Sequence, residues 1–230
     1  MSKNRKTGST EKDIVKKQFI SLQQLDSRID VVNIVSRYEE SKNELGKNTG
    51  HLNYNNYKEL SQKILRDEEF TISLIDDSFI NLYYVFDEDD NIERHVLSFV
   101  PSYQNDLYRE DMNIGDYSQL QPEEDANITD EEYGRRISNY IRVDYDLVGQ
   151  KRFYHTPVHM HVGIFDYSIR MPVETALYPF DFLYLVFKYI YHYSEEDLDI
   201  LNSNSKYRTM LDKEEMKRFK ITNGNQQLTN

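Results

Sequence analysis

The chain has 230 residues, with 40 acidic against 28 basic side chains, a formal net charge of −12, 13% aromatic residues, no tryptophan and no cysteine. That balance excludes a protein whose whole surface grips nucleic acid, because phosphate contacts need clustered Lys and Arg; only a local basic groove remains open. The missing thiols remove disulfides, thiolate zinc ligands and a cysteine nucleophile together, and they fit a reducing compartment.

One domain is the default at this length. The N-terminal Met-Ser-Lys-Asn-Arg-Lys has no apolar stretch behind it, and no window approaches the ~18 apolar residues of a membrane span, so a soluble, cytoplasmic protein is expected. Residues 1–12 are polar and expected to be disordered. From 13 to 38, Val15, Phe19, Leu22, Leu25, Ile29, Val32 and Val35 recur at spacings of three and four, which predicts one long packing helix. Gly46 and Gly50 break it. A second helix is predicted over 56–68, with Tyr57, Leu60 and Ile64 on one face and Asn56 and Glu59 in capping-box positions.

The pattern then changes to β-branched and aromatic runs at 70–75, 79–86 and 94–100, separated by Asp77-Ser78 and by Asp87-Glu-Asp-Asp-Asn91. Connections this short force an antiparallel meander. Residues 101–136 are irregular, rich in tyrosine and carboxylates, and are expected to form a partly ordered flap. Over 139–147, Ile141, Val143 and Tyr145 alternate with Tyr140, Arg142, Asp144 and Asp146; over 158–164, Val158, Met160 and Val162 alternate with His159, His161 and Gly163. Both stretches read as strands. A third short strand at 168–171 sets Arg170 opposite Ile169 and Met171.

Residues 180–193 are apolar almost all round a helix, with Pro179 where a first turn tolerates it. Ser194-Glu-Glu-Asp197 is a capping box that predicts a last helix to about 202, and 206–230 is a polar tail. The expected fold is one α+β domain over 13–205. An antiparallel sheet of five to six strands has one face under the 13–38 and 180–193 helices, and the other carries a histidine cluster partly beneath the flap.

Three of the six histidines, His155, His159 and His161, fall within seven positions. If the two strands at 139–147 and 158–164 are antiparallel neighbours, Arg142, Asp144, His159 and His161 share one face, with His155 and Arg170 at its edge. The plain reading is a pair of solvent-facing histidines beside an ion pair worth ~0.2–1 kcal/mol. Two chemistries fit otherwise. Asp144, His159 and His161 have the donor types for a divalent metal, with His155 as a further ligand. Alternatively His159 or His161 is a general acid or base oriented by Asp144, while Arg142 and Arg170 clamp a phosphate. His51, His95 and His192 are read as structural or loop residues. No phosphate-binding glycine loop, Gly-x-Ser-x-Gly elbow or His-Glu-x-x-His occurs, so no cofactor other than a divalent metal is suggested.

Tyr140-Ile-Arg-Val-Asp-Tyr-Asp146, His155-Thr-Pro-Val-His-Met-His-Val-Gly163, Arg170-Met-Pro172 and Pro179-Phe-Asp-Phe182 together resemble the uncharacterised bacterial family catalogued as domain of unknown function 2290. Thr156 stands where that pattern carries proline. The Arg-x-Asp strand followed by a His-x-His strand is also faintly similar to toxins of the TumE type, a resemblance that implies an antitoxin partner. The resulting expectation is a ribonuclease-like effector of a toxin–antitoxin or phage-defence system. A non-catalytic subunit that binds a partner protein, or a metal-dependent hydrolase, are the alternatives.

Overall fold

The computed structural model describes residues 9–22, 25, 32–33, 40–46, 57–101, 140–147, 156–163 and 169–201. The expected flap beyond Pro101, His51, His155 and the 206–230 tail lie outside the described residues.

Thr10 opens helix α1 (Glu11–Ser21). Its hydroxyl accepts the Asp13 amide at 3.2 Å while the Asp13 carboxylate accepts the Thr10 amide at 3.1 Å, which satisfies two otherwise orphaned donors. The helix thus starts earlier than its apolar spacing predicts, and it also stops far sooner, at Ser21 instead of near Tyr38. Val32–Asn33 form a short strand, β1, which pairs with a later strand. The sequence there is rich in valine and isoleucine, which lose side-chain freedom in a helix and fit a pleated surface. A three-and-four spacing built from such residues is therefore weak evidence for a helix.

A second two-residue strand, β2 (Glu44–Leu45), is followed by helix α2 (Tyr57–Asp67). The remaining strands are β3 (Ile72–Leu74), β4 (Phe79–Phe86), β5 (Ile92–Val100), β6 (Ile141–Asp146), β7 (Val158–Val162) and β8 (Ile169–Pro172). Helix α3 (Pro179–Tyr189) comes next. The Ser194–Asp197 box does form, at 3.2 Å in both directions, but it leads only to the 3-10 turn Asp199–Leu201. Leu198 and Leu201, three residues apart, are the buried side chains there, a spacing that a 3-10 turn serves.

All eight strands form one antiparallel sheet in the order β1-β3-β4-β5-β6-β7-β8, with β2 paired to β4. The expected strands are all present, and β1 and β2 are the additions. Turn chemistry sets the hairpins: the Asp87 carboxylate accepts the amides of Asp89 at 2.9 Å and Asn91 at 2.8 Å, holding β4 against β5. No helix among the described residues is long and apolar enough to cross a membrane.

One sheet face carries the main core. Leu82, Tyr84, Leu97, Phe99, Val143, Tyr145 and Val158 pack against Val15 and Phe19 of α1 and Phe182, Leu183, Val186 and Phe187 of α3. The two helices are tied by the buried Gln18 side chain, whose carbonyl accepts the Phe180 amide at 3.0 Å. The opposite face is not left to the histidines alone. At one end Phe79, Val100 and Tyr140 pack with Phe70 and with Leu60 and Ile64 of α2. The polar group described next lies beside this second, smaller core.

His95 belongs to the main core, as expected of a structural histidine. It is fully buried between Tyr84 and Tyr145, both ring centroids at 5.7 Å, and its Nε2 accepts the Leu177 amide at 3.2 Å. Burial lowers its pKa to about 4, against weaker opposing pulls that include Asp144. The folded state therefore resists the proton that the unfolded chain takes up near pH 6.5, and stability is complete above that pH and falls as pH drops towards 4. Between pH 7.5 and 5 this group should cost about 2 kcal/mol. Denaturant titration of His95→Gln, which keeps an acceptor for Leu177, should show that much less acid sensitivity than the parent chain.

Gly46 follows β2 at φ +88°, and a Cβ there would lie 1.9 Å from the Leu82 carbonyl oxygen. Gly46→Ala should lower stability by about 3 kcal/mol, combining left-handed backbone strain with a backbone clash, as measured by the shift in unfolding midpoint.

Candidate metal centre

The pairing of β6 with β7 builds the site. Arg142 lies opposite His161 and Asp144 opposite His159, so these four side chains leave the same face of the sheet. The next strand extends the row, setting Arg170 opposite His161. On the other side Arg142 is opposite Ser98, and Ser98 opposite Asn81. The resulting polar row, Asn81, Ser98, Arg142, His161 and Arg170, crosses five strands. It runs from the buried Asn81 and Ser98 to the exposed Arg170.

Both imidazoles are buried, each residue at 5% exposure, which removes the plain reading of two solvent-facing histidines. Asp144 is largely buried too, its side chain 13% exposed. An ionised carboxylate in such a place needs compensation. Arg142 supplies it: Nε and one terminal nitrogen lie 3.0 and 2.8 Å from the same oxygen, Oδ2. His161 Nε2 stands 3.5 Å and His159 Nε2 3.9 Å from that oxygen, and the two rings are 4.9 Å apart. Burial would push the Asp144 carboxyl up, but His161 and the Arg142 charge outweigh it and hold it at about 2. Asp144 is ionised at neutral pH. Its other oxygen, Oδ1, is buried and has no hydrogen-bond partner among the described residues.

The tautomer of His159 follows from its partner. Nδ1 lies 3.1 Å from the Thr156 carbonyl oxygen, and a carbonyl can only accept, so Nδ1 carries the proton. In the neutral ring Nε2 then presents a lone pair towards Asp144. At 3.9 Å that contact is too long for a hydrogen bond. A backbone carbonyl fixing Nδ1–H while Nε2 faces a carboxylate is the arrangement that orients a metal-binding imidazole. One ligand atom from each of Asp144, His159 and His161 lies within 4.8 Å of the others. Donors at ~2.1 Å from a tetrahedral ion stand about 3.4 Å apart, so the trio is close to a bound geometry and needs only to contract. This group could hold a metal.

Of the six residues singled out in the sequence, the fold brings together Arg142, Asp144, His159 and His161. Arg170 sits on the same row but exposed at the neighbouring strand, and His155 lies outside the described residues. Arg142 is paired with Asp144 in this structure. Sequence reasoning missed Asn81, Ser98, Thr156 and Tyr140. The signal for the first two was available: each is a lone uncharged polar residue in an otherwise apolar part of its strand.

A family model described as uncharacterized conserved protein (DUF2290) matches residues 15–223. No curated protein and no solved structure matches the chain, so the likeness to TumE-type toxins has no counterpart in these comparisons.

A double-mutant cycle on Arg142→Gln and Asp144→Asn should return a coupling of about 2 kcal/mol, well above an exposed pair. Asp144→Asn alone should cost about 3 kcal/mol, since it strands a half-buried guanidinium. Equilibrium unfolding of the four proteins measures both.

Proposed function

The chain belongs to this uncharacterized conserved family, and we propose that it is a metal-dependent hydrolase in which Asp144, His159 and His161 hold one divalent cation. The observation that carries the reading is His159. Its proton is fixed on Nδ1 by the Thr156 carbonyl, which leaves Nε2 directed at an ionised, buried carboxylate. Two imidazoles and one carboxylate suit zinc, iron or manganese and leave coordination positions for water and substrate.

The competing chemistry, with two histidines as separate acid and base, fits the geometry less well. In an in-line displacement at phosphorus the attacking and leaving oxygens stand on opposite sides. Here both Nε2 atoms face one and the same carboxylate oxygen, at 3.5 and 3.9 Å. That convergence suits a single ion better than two proton carriers flanking a phosphoryl group.

A phosphodiester is the substrate class this site fits best, and RNA is the specific substrate proposed. Asp144, His159 and His161 would hold the ion, and the chemistry it would supply is activation of a water for attack at phosphorus; the departing sugar oxygen would take up a proton from solvent. Arg170, exposed beside His161 at the outer end of the row, supplies positive charge where a polyanion would approach. Such a local cation is compatible with a chain whose net charge is −12, since only the site need attract phosphate. The faint likeness of the Arg-x-Asp and His-x-His strands to TumE-type toxins suggests a toxin–antitoxin or phage-defence setting, which makes growth arrest on expression a second readout.

Protein purified without a nickel column should carry about one divalent ion per chain by elemental analysis, and His161→Ala should lose it. Cleavage of end-labelled RNA should stop in EDTA, return on adding metal, and fall by about a hundredfold or more in His161→Ala. A metal-free wild-type protein that cleaves RNA at full rate would overturn the assignment.

A further inference from the structure

Asp144 Oδ2 is already occupied by a cation. Arg142 does not pair with Asp144 fork to fork, one nitrogen on each oxygen. It places Nε and a terminal nitrogen both on Oδ2, at 3.0 and 2.8 Å, while Oδ1 is buried and has no hydrogen-bond partner among the described residues. The same terminal nitrogen lies 3.4 Å from His161 Nε2. One guanidinium nitrogen thus stands beside two of the three atoms that would ligate an ion.

We propose that Arg142 is a built-in stand-in for the metal: it holds the empty centre together, and a divalent ion must displace its guanidinium to reach Asp144 Oδ2 and His161 Nε2. This rests on the metal-centre reading above and goes beyond it, because it makes Arg142 a determinant of metal affinity that acts by competition. The physical reason is charge. With the ion ~2.1 Å from Oδ2 and the nitrogen still 2.8 Å from that same oxygen, a single and a double positive charge would share one small, poorly hydrated space. Repulsion at such a range is strong in a medium less polar than water. Removing the ion without a substitute is equally unfavourable, since it would leave a buried carboxylate unpaired.

Tyr140, two residues before Arg142 on the same face, packs against α2; burial raises its pKa and the nearby Arg142 charge opposes that rise. A guanidinium withdrawn from Oδ2 remains beside the ion. There it can bind a non-bridging phosphate oxygen in the two-pronged manner that arginine favours. The opposite possibility is that Arg142 keeps its place and orients Asp144 while the ion binds Oδ1. A ligand-orienting partner of that kind strengthens metal binding, commonly by ten- to a hundredfold or so, so the two arrangements predict opposite signs.

Calorimetric titration of zinc into metal-free full-length wild type, Arg142→Gln and Arg142→Lys decides between them, with Asp144→Asn as the control that should abolish site binding. Displacement predicts that Arg142→Gln binds zinc more tightly, on the order of tenfold, and that Arg142→Lys lies between it and wild type, because a single ammonium grips one oxygen less firmly than two guanidinium nitrogens. Equal or weaker binding by both variants would overturn the proposal while leaving the metal centre standing. No binding by any folded protein would remove the metal-centre reading itself. Metal-free Arg142→Gln should also melt earlier than wild type and gain more from zinc. If it fails to fold without metal, the same comparison is made with Arg142→Lys, whose zinc-induced rise in melting temperature must exceed that of wild type.

Discussion

The register of β6 against β7 is the constraint on which the rest depends. Because side chains alternate faces along a strand, sliding one strand by a single residue would send its polar set into the main core and its apolar set to the opposite face. The observed pairing puts Val143 opposite Met160 and Tyr145 opposite Val158 on the core side, and in doing so sets Arg142 opposite His161 and Asp144 opposite His159. The hydrophobic pattern and the site are therefore one choice. Val143, Tyr145 and Val158, each 1% exposed or less, hold the ionisable groups in place from behind the sheet.

Burying that group is costly, and the sheet meets the cost by arranging partners along the row. Asp144 has the Arg142 guanidinium and two imidazoles around one oxygen, and His159 hands its second nitrogen to the Thr156 carbonyl. The Thr156 hydroxyl in turn donates to the Val158 carbonyl at 2.8 Å, which stiffens the approach to β7. Within this group, Oδ1 of Asp144 is left without a hydrogen-bond partner among the described residues. Replacing such a buried ionic group by apolar side chains is often neutral or stabilising in other proteins, so its presence here is better explained by what the group does than by what it adds to stability.

Much of this was legible in the chain itself, for reasons that can be traced to individual residues. The strict alternations at 139–147 and 158–164 carried both strands and their shared face, because period-two patterning sustained over more than four residues is the mark of a half-buried strand. The three earlier strands were readable as β-branched and aromatic runs between turn residues, and α3 as apolar residues almost all round a helix. The helix expected over 13–38 was not, since Val32 repeats at helical spacing yet belongs to β1; periodicity cannot separate the two where β-branched residues dominate. β2 was invisible because two residues carry no period at all. Within the site, residue types named the donors, but the burial of His159 and His161, the commitment of Arg142 to Asp144, and the Thr156 carbonyl beneath His159 depend on three-dimensional packing and backbone position.

The sheet's second face also has a direction. At the α2 end it is a dry cluster of Phe70, Phe79, Val100 and Tyr140; one row further along come Asn81 and Ser98, buried, then Arg142 and His161, and then the exposed Arg170 on β8. The row becomes charged from β6 onward and reaches solvent only at Arg170 on β8. A cation held by Asp144, His159 and His161 would have a low-dielectric wall on one side, which strengthens its field. On the other it would have β8, which pairs with β7 and with no further strand among the described residues. On the hydrolase reading proposed above, Arg170 at the row's outer end on β8 would act through its position, by drawing an anionic substrate inward.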